Sequence, residues 1–284
     1  MTLKLRNLNP VIGSEVEKVD LSNASDELLA EVRTALGERK VLVFRNQVLT
    51  RDQHRALGRA FGTGARHTHA LASKVNNGIP DDVFVVSTGP DSKFTAGEGW
   101  HTDVSCDKTP IAASMLYVTK TPESGGGDTL FTNMNAAYEG LSAPIKDLIS
   151  GLKAFHDGAY PYKTIYGFDE PVKEYNSCSH PIVIKHPETG EPLLFVNRGF
   201  TTLIEGLSLV ERRYLLEMLF SYIESTPRLQ CRVAWEPNTL VMWDNLATQH
   251  HAAWDYFPET RYGERVSVVG FELEAAFPDA FTDS

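Results

Sequence analysis

From Val83 to Gly270 the chain is a succession of short β-type runs, none long enough for a stable helix and most bounded by turn-forming residues. The clearest are Val83 to Ser87, Ala113 to Thr119, Pro181 to Lys185, Leu193 to Val196, Arg228 to Trp235, Thr239 to Trp243 and Arg265 to Gly270. Strands this short bury their apolar residues only by stacking two sheets or closing one on itself, which predicts a sandwich or a barrel. Helices precede and interrupt them. Ser25 can cap a segment in which Leu28, Val32 and Leu36 recur at helical spacing, with Gly37 placed to close it. Val41 to Phe44 follows as a strand. Thr50 and Gln53 then form a capping box ahead of Leu57 and Phe61, and Gly62 suits the C-terminal cap. A further box, Ser208 with Glu211, opens a helix carrying Leu215, Leu219 and Ile223. The Gly125-Gly126-Gly127 run and the stretch from Tyr160 to Pro171 read as loops. No repeat, low-complexity tract or linker divides the chain, so residues 1–284 are expected to form one domain, mainly β with flanking helices.

Composition narrows the function. The formal net charge of −10 and the lack of clustered Lys and Arg argue against a nucleic-acid surface. Cys106, Cys178 and Cys231 are odd in number and lack metal-type spacing, which fits reduced thiols better than a disulfide scaffold. The N-terminal residues contain no apolar leader and no stretch is long enough to span a bilayer, so a cytoplasmic location and no membrane partner are expected.

Within Gly-Trp-His-Thr-Asp-Val-Ser, His101 and Asp103 form a His-x-Asp unit, and His250 lies far downstream in Trp-Asp-Asn-Leu-Ala-Thr-Gln-His. If residues 101 to 103 are strand, side chains at i and i+2 share a face, so His101 and Asp103 can address one ion. Two neutral imidazoles and a carboxylate fill one face of an octahedron and leave three positions open, the pattern of non-haem Fe(II) oxygenases. Arg261 follows His250 on the approach to the strand expected from Arg265, and Thr129 sits in Gly-Gly-Gly-Asp-Thr-Leu-Phe. A dicarboxylate that chelates iron at one end needs a fixed cation for the other; an Arg fork and a Thr hydroxyl supply one.

These features lie within a set of motifs. Phe61-Gly62, Trp100-His101-Thr102-Asp103, Ser124 through Phe131, Ala137 through Ser142, Leu194 through Asn197, Gly199 through Thr202, and Trp243-Asp244-Asn245 with Gln249-His250 together resemble the taurine dioxygenase (TauD/TfdA) family of Fe(II)/2-oxoglutarate-dependent dioxygenases. The resemblance runs over most of the length. It implies a double-stranded β-helix, a cupin-like jelly roll whose open mouth holds the iron, with helices outside. It makes His101, Asp103 and His250 the iron ligands, and Thr129 and Arg261 the partners of the distal 2-oxoglutarate carboxylate. Arg265 matches a second family arginine that meets either an anionic substrate or the cosubstrate. Fe(II), 2-oxoglutarate and dioxygen are the implied cofactors, with ascorbate stimulatory. The implied reaction couples decarboxylation of 2-oxoglutarate to succinate and CO2 with oxidation of a C–H bond in a small anionic molecule. A sulfonate, sulfate ester, aryloxyalkanoate or carboxylate fits, and a hydroxylated carbon bearing a heteroatom can then lose it. Desaturation or another oxidation of a natural-product or amino-acid-like substrate is the alternative. Halogenation is disfavoured because Asp103 is retained. A homodimer or homotetramer is implied.

Three further residues are expected to face the substrate: His67 and His69 in Ala-Arg-His-Thr-His-Ala, and Phe200. Thr88 to Glu98 has the make-up of a mobile lid, and Gly97-Glu98-Gly99 lacks the Asn of taurine-oxidising members, which counts against taurine itself. His251 is expected to pack, since neighbouring strand residues face opposite ways. Asp244 and Asn245 are expected to form a structural turn. Other classes remain open: a zinc hydrolase using the same three ligands, and a jelly roll that binds a carboxylate without turnover.

Overall fold

The structure is a computed structural model that describes residues 3–65, 78–164 and 175–278. Among these residues a seven-stranded sheet dominates. Its strands are β1 (Leu5–Asn7), β2 (Ser14–Val16), β3 (Val41–Phe44), β4 (Phe84–Thr88), β5 (Ala113–Lys120), β13 (Thr239–Asp244) and β15 (Arg261–Val268), in the spatial order β1-β2-β3-β13-β5-β15-β4. A three-stranded sheet is built from β6 (Thr129–Asn133), β12 (Gln230–Val233) and β14 (Thr248–Ala252), with β6 in the middle. Two more triplets combine β7 (Lys153–Asp157), β8 (Ser177–Pro181) and β11 (Thr201–Ile204), and β9 (Val183–Lys185), β10 (Pro192–Leu194) and β16 (Glu274–Ala275). The β2–β3 pair is parallel and the other pairs are antiparallel.

The large sheet is buried on both faces where β3 and β13 carry consecutive apolar residues. Along β3, Leu42 and Phe44 join one cluster under the helices while Val41 and Val43 join another on the opposite face. β13 repeats the division, with Leu240 and Met242 on the helix side and Val241 and Trp243 on the inner side. The inner cluster takes in Phe131, Cys231, Val233 and Trp235 from the region of β6 and β12, so the two sheets face each other across a shared core. This is the jelly-roll core that the sequence implies, mainly β with helices outside. A further core lies around β9, β10 and the last long helix.

Helix starts follow the sequence signals closely. α1 (Asp26–Arg39) is capped by Ser25, α2 (Arg51–Phe61) by the Thr50–Gln53 box, and α6 (Leu209–Glu224) by the Ser208–Glu211 box. The shorter helices are α3 (Met134–Glu139), α4 (Ala143–Ile149) and α5 (Tyr160–Thr164). α5 occupies the beginning of the stretch expected to be loop.

Two other expectations need correction. Gly37 does not end α1: the left-handed cap is Lys40, whose N–H donates to the Leu36 carbonyl and whose Nζ donates to the Gly37 carbonyl at 2.6 Å. A buried lysine folding back on the final carbonyls replaces the glycine. The last long strand begins at Arg261 rather than near Arg265, since β15 pairs with β4 from Arg261 opposite Thr88 to Arg265 opposite Phe84. Arg261, Gly263 and Arg265 therefore alternate onto one face, and Arg265 stands opposite the inward Leu116 of β5.

Candidate metal and cosubstrate site

Among the described residues one group could hold a metal: His101, Asp103 and His250, whose ligand atoms all lie within 4.8 Å of one another. His250 is on β14. His101 is not part of a regular strand but forms an isolated antiparallel bridge to it, His101 N to His250 O at 3.1 Å and the reverse bond at 2.8 Å. That bridge draws together two histidines far apart in sequence, and their rings stand 4.1 Å apart. Asp103 lies in the turn that follows, not on a strand face, so it reaches the ion site by turning back rather than by pleat alternation. The chain makes that turn with Val104 at φ 44°, in the left-handed region, where a β-branched residue is strained.

The imidazole tautomer is fixed by the backbone. His101 Nδ1 must donate to the Gly99 carbonyl at 2.9 Å, which leaves Nε2 with its lone pair free, 3.6 Å from Asp103 Oδ1. His250 Nε2 lies 3.8 Å from the other carboxylate oxygen. Gly97 and Gly199 pack on His101: a Cβ on Gly97 would meet the ring Cε1 at 3.3 Å, and one on Gly199 would meet His101 Cβ at 2.8 Å.

Asn245 was expected to make only a turn. Wholly buried, it accepts from Asp103 N at 3.1 Å and donates to the Asp103 carbonyl at 3.1 Å and to the Ile111 carbonyl at 2.8 Å. It clamps the backbone of the carboxylate that completes the triad. Arg265 Nη1 lies 2.8 and 2.7 Å from the two Asp103 oxygens. Burial pushes the Asp103 carboxyl up, but the Arg265 charge and the two histidines more than offset it and hold the group well below the usual carboxylate range. Burial pushes His250 the other way, well below the usual imidazole value, with His101 adding to the effect. A neutral imidazole at His250 and an anion at Asp103 are protonation states that suit a divalent cation.

Thr129 and Arg261 meet at the same pocket. Thr129 heads β6 opposite Ala252, two residues along from the Phe131–His250 pair, so all four side chains share the inner face. Arg261 is 2% exposed, and its Nε and Nη2 have no hydrogen-bond partner among the described residues. Buried guanidinium nitrogens left unpaired are costly unless a ligand meets them. Gly127, with φ 72°, lets Arg261 approach: a Cβ there would meet Tyr256 at 3.0 Å and Arg261 Cδ at 3.4 Å. The wall is completed by Phe84, Val86, Glu98, Phe200, Trp235 and Trp243. Phe200 lines this pocket, and part of the Thr88–Glu98 segment borders it. His67 and His69 lie outside the described residues. His251 accepts from Gly99 N at 3.0 Å through Nδ1 and packs by Trp100, the supporting place expected for it. Trp235 carried no signal in the sequence beyond the end of a β-type run.

Comparison with known proteins gives this arrangement a context. The model of "Taurine catabolism dioxygenase TauD, TfdA family" matches residues 4–267. An alpha-ketoglutarate-dependent sulfonate dioxygenase of Saccharomyces cerevisiae is 32% identical over 267 residues, 89% of this chain and 63% of its own length. The chain therefore spans less than two thirds of that relative. An alpha-ketoglutarate-dependent sulfate ester dioxygenase of Pseudomonas putida is 31% identical over 91% of this chain and 87% of its own. A taurine dioxygenase from Burkholderia xenovorans superposes with a TM-score of 0.83 at 34% identity, covering 99% of this chain and 93% of that one. AAD-2, solved with Mn(II) and N-oxalylglycine, gives 0.87 at 25% identity, covering 96% and 99%.

Proposed function

The chain belongs to the TauD/TfdA family of Fe(II)- and 2-oxoglutarate-dependent dioxygenases, and from that membership we propose that it oxidises a C–H bond of a small organic anion, with a sulfonate or sulfate ester favoured. The donor set fits the metal: His101 Nε2, His250 Nε2 and an Asp103 oxygen would hold Fe(II). When bound, Fe(II) and 2-oxoglutarate supply, with dioxygen, the oxidising equivalents, leaving succinate and CO2. Arg261 and Thr129 bind the distal carboxylate of the cosubstrate. Arg265 fixes the charge and orientation of Asp103, and its Nε, which also has no partner among the described residues, is available to an anion in the pocket. Phe84, Val86, Phe200 and Trp243 exclude water from the reacting carbon. Assembly as a homodimer or homotetramer is part of the same reading and is checked by sedimentation.

The observation that carries the proposal is the buried, half-unpaired Arg261 guanidinium beside an open two-histidine, one-carboxylate cluster. A zinc hydrolase built on the same three ligands leaves the Thr129 and Arg261 pair without a role. The substrate names carried by the yeast and Pseudomonas relatives favour sulfonates and sulfate esters. The test is succinate formation with Fe(II), ascorbate and 2-oxoglutarate against a panel of sulfonates, sulfate esters, aryloxyalkanoates and carboxylates. Substrate-dependent succinate with at least one of the first two classes is expected; no iron-dependent turnover with any of them overturns the proposal.

A further inference from the structure

Trp235 lies just beyond β12, buried, against both residues assigned to the distal carboxylate. Its indole Nε1–H donates to Thr129 Oγ1 at 3.0 Å, and the Arg261 guanidinium carbon lies 5.1 Å from its ring centroid. An indole nitrogen only donates, so the Thr129 oxygen accepts, and the threonine proton must point elsewhere. Among the described residues that proton has no acceptor, and Thr129, Arg261 and Trp235 all line the same pocket. The Arg261 nitrogens Nε and Nη2 are likewise unpartnered there. Stacking on the indole restricts the guanidinium and offsets part of the cost of burying its charge.

We propose that Trp235 is the positioning residue of the cosubstrate site: its N–H turns the Thr129 hydroxyl into a donor, and its ring holds Arg261, so that the distal carboxylate of 2-oxoglutarate meets a prearranged set of N–H and O–H groups. The inference rests on the assignment of Thr129 and Arg261 made above. Preorganised donors give more affinity than free ones because no rotamer entropy is lost on binding.

The test is an anaerobic titration of the Fe(II)-loaded protein with 2-oxoglutarate, read at the visible charge-transfer band, for wild type, Trp235→Phe, Thr129→Val and the double variant. Trp235→Phe keeps a ring beneath Arg261 and removes the N–H; it is expected to weaken 2-oxoglutarate about tenfold. Fe(II) affinity should be unchanged, and in turnover KM for 2-oxoglutarate should rise while kcat holds. In the Thr129→Val background the same change should cost less than about twofold, because no hydroxyl remains to be oriented. Additive losses in the double variant, or a parallel fall in Fe(II) affinity, overturn the proposal and make Trp235 ordinary packing. Should the phenylalanine variant fail to fold, benzothienylalanine at position 235 repeats the comparison with the indole shape kept and sulfur in place of N–H; unchanged affinity there also overturns it. Wild-type protein that binds no 2-oxoglutarate, or that keeps its affinity after Arg261→Ala, overturns the cosubstrate reading itself, so the two failures are distinguishable.

Discussion

At the scale of single residues, the two groups that the His-x-Asp unit contributes differ in what their loss should do. His101→Ala is expected to remove Fe(II) binding and turnover while leaving the melting temperature close to wild type, because the ring is held by one backbone carbonyl and by glycines. Asp103→Ala should remove both and also cost about 3 kcal/mol of stability, since it leaves the largely shielded Arg265 without its counter-charge. Denaturant titration beside iron binding separates the two outcomes. Asn245→Ala breaks three buried hydrogen bonds and should cost about 2 kcal/mol. Because two of those bonds hold the Asp103 backbone, Fe(II) affinity should also fall by about tenfold or more. Retained iron affinity would mean the clamp serves only the fold. The candidate ligand residues stood out in the chain because metal chemistry restricts residue types: a His-x-Asp unit keeps two of them close together, and the motif ending in Gln249-His250 marks the third. Asn245 stood in a readable motif, but its part could not be read: a side chain that binds backbone groups leaves no complementary residue type in the sequence.

Elements were most readable where they begin. Capping boxes at Thr50–Gln53 and Ser208–Glu211 are short-range contacts between residues three apart, and both are formed as the sequence indicated. Ser208→Ala is expected to cost about 1 kcal/mol in thermal or denaturant unfolding, with iron and 2-oxoglutarate binding unaffected, since the helix lies away from the site. Ends were harder to place. Lys40 rather than Gly37 terminates α1, because a buried side chain reaching the last carbonyls outweighed the local preference for glycine. The early start of β15 at Arg261 is a property of its partner β4 rather than of its own composition. Gly97, with φ 89°, is where local conformation and site meet: Gly97→Ala should strain the backbone and press on the His101 ring. Lower Fe(II) affinity, measured with the fold verified by circular dichroism, is the expected result.

For the whole molecule, the deep core makes stability depend on pH through groups remote from the pocket. Burial lowers His54, held between α2 and β5, to about 4, and burial with the neighbouring His180 lowers His156 to about 3. A histidine with a lowered folded value stays neutral in the folded chain while the unfolded chain takes up a proton. Its contribution is therefore complete above the unfolded value near 6.5 and is lost as pH falls toward 4. For His54 the loss approaches about 3 kcal/mol, so stability measured in urea should decline from pH 7 to 4, and His54→Leu should flatten that decline. An unchanged slope in the variant would place the proton uptake elsewhere. The sequence by itself determined the class of fold and pointed to the candidate metal donors and cosubstrate partners, because periodicity and capping are properties of residue types at short spacing and the family motifs mark the candidate site residues. Only the tertiary structure decided that His101 meets His250 through a backbone bridge, that Asp103 turns back to them under the hold of Asn245 and Arg265, and that Trp235 sits against Thr129 and Arg261. Those relations join residues remote in the chain, and they exist only once two facing sheets have closed on a common core.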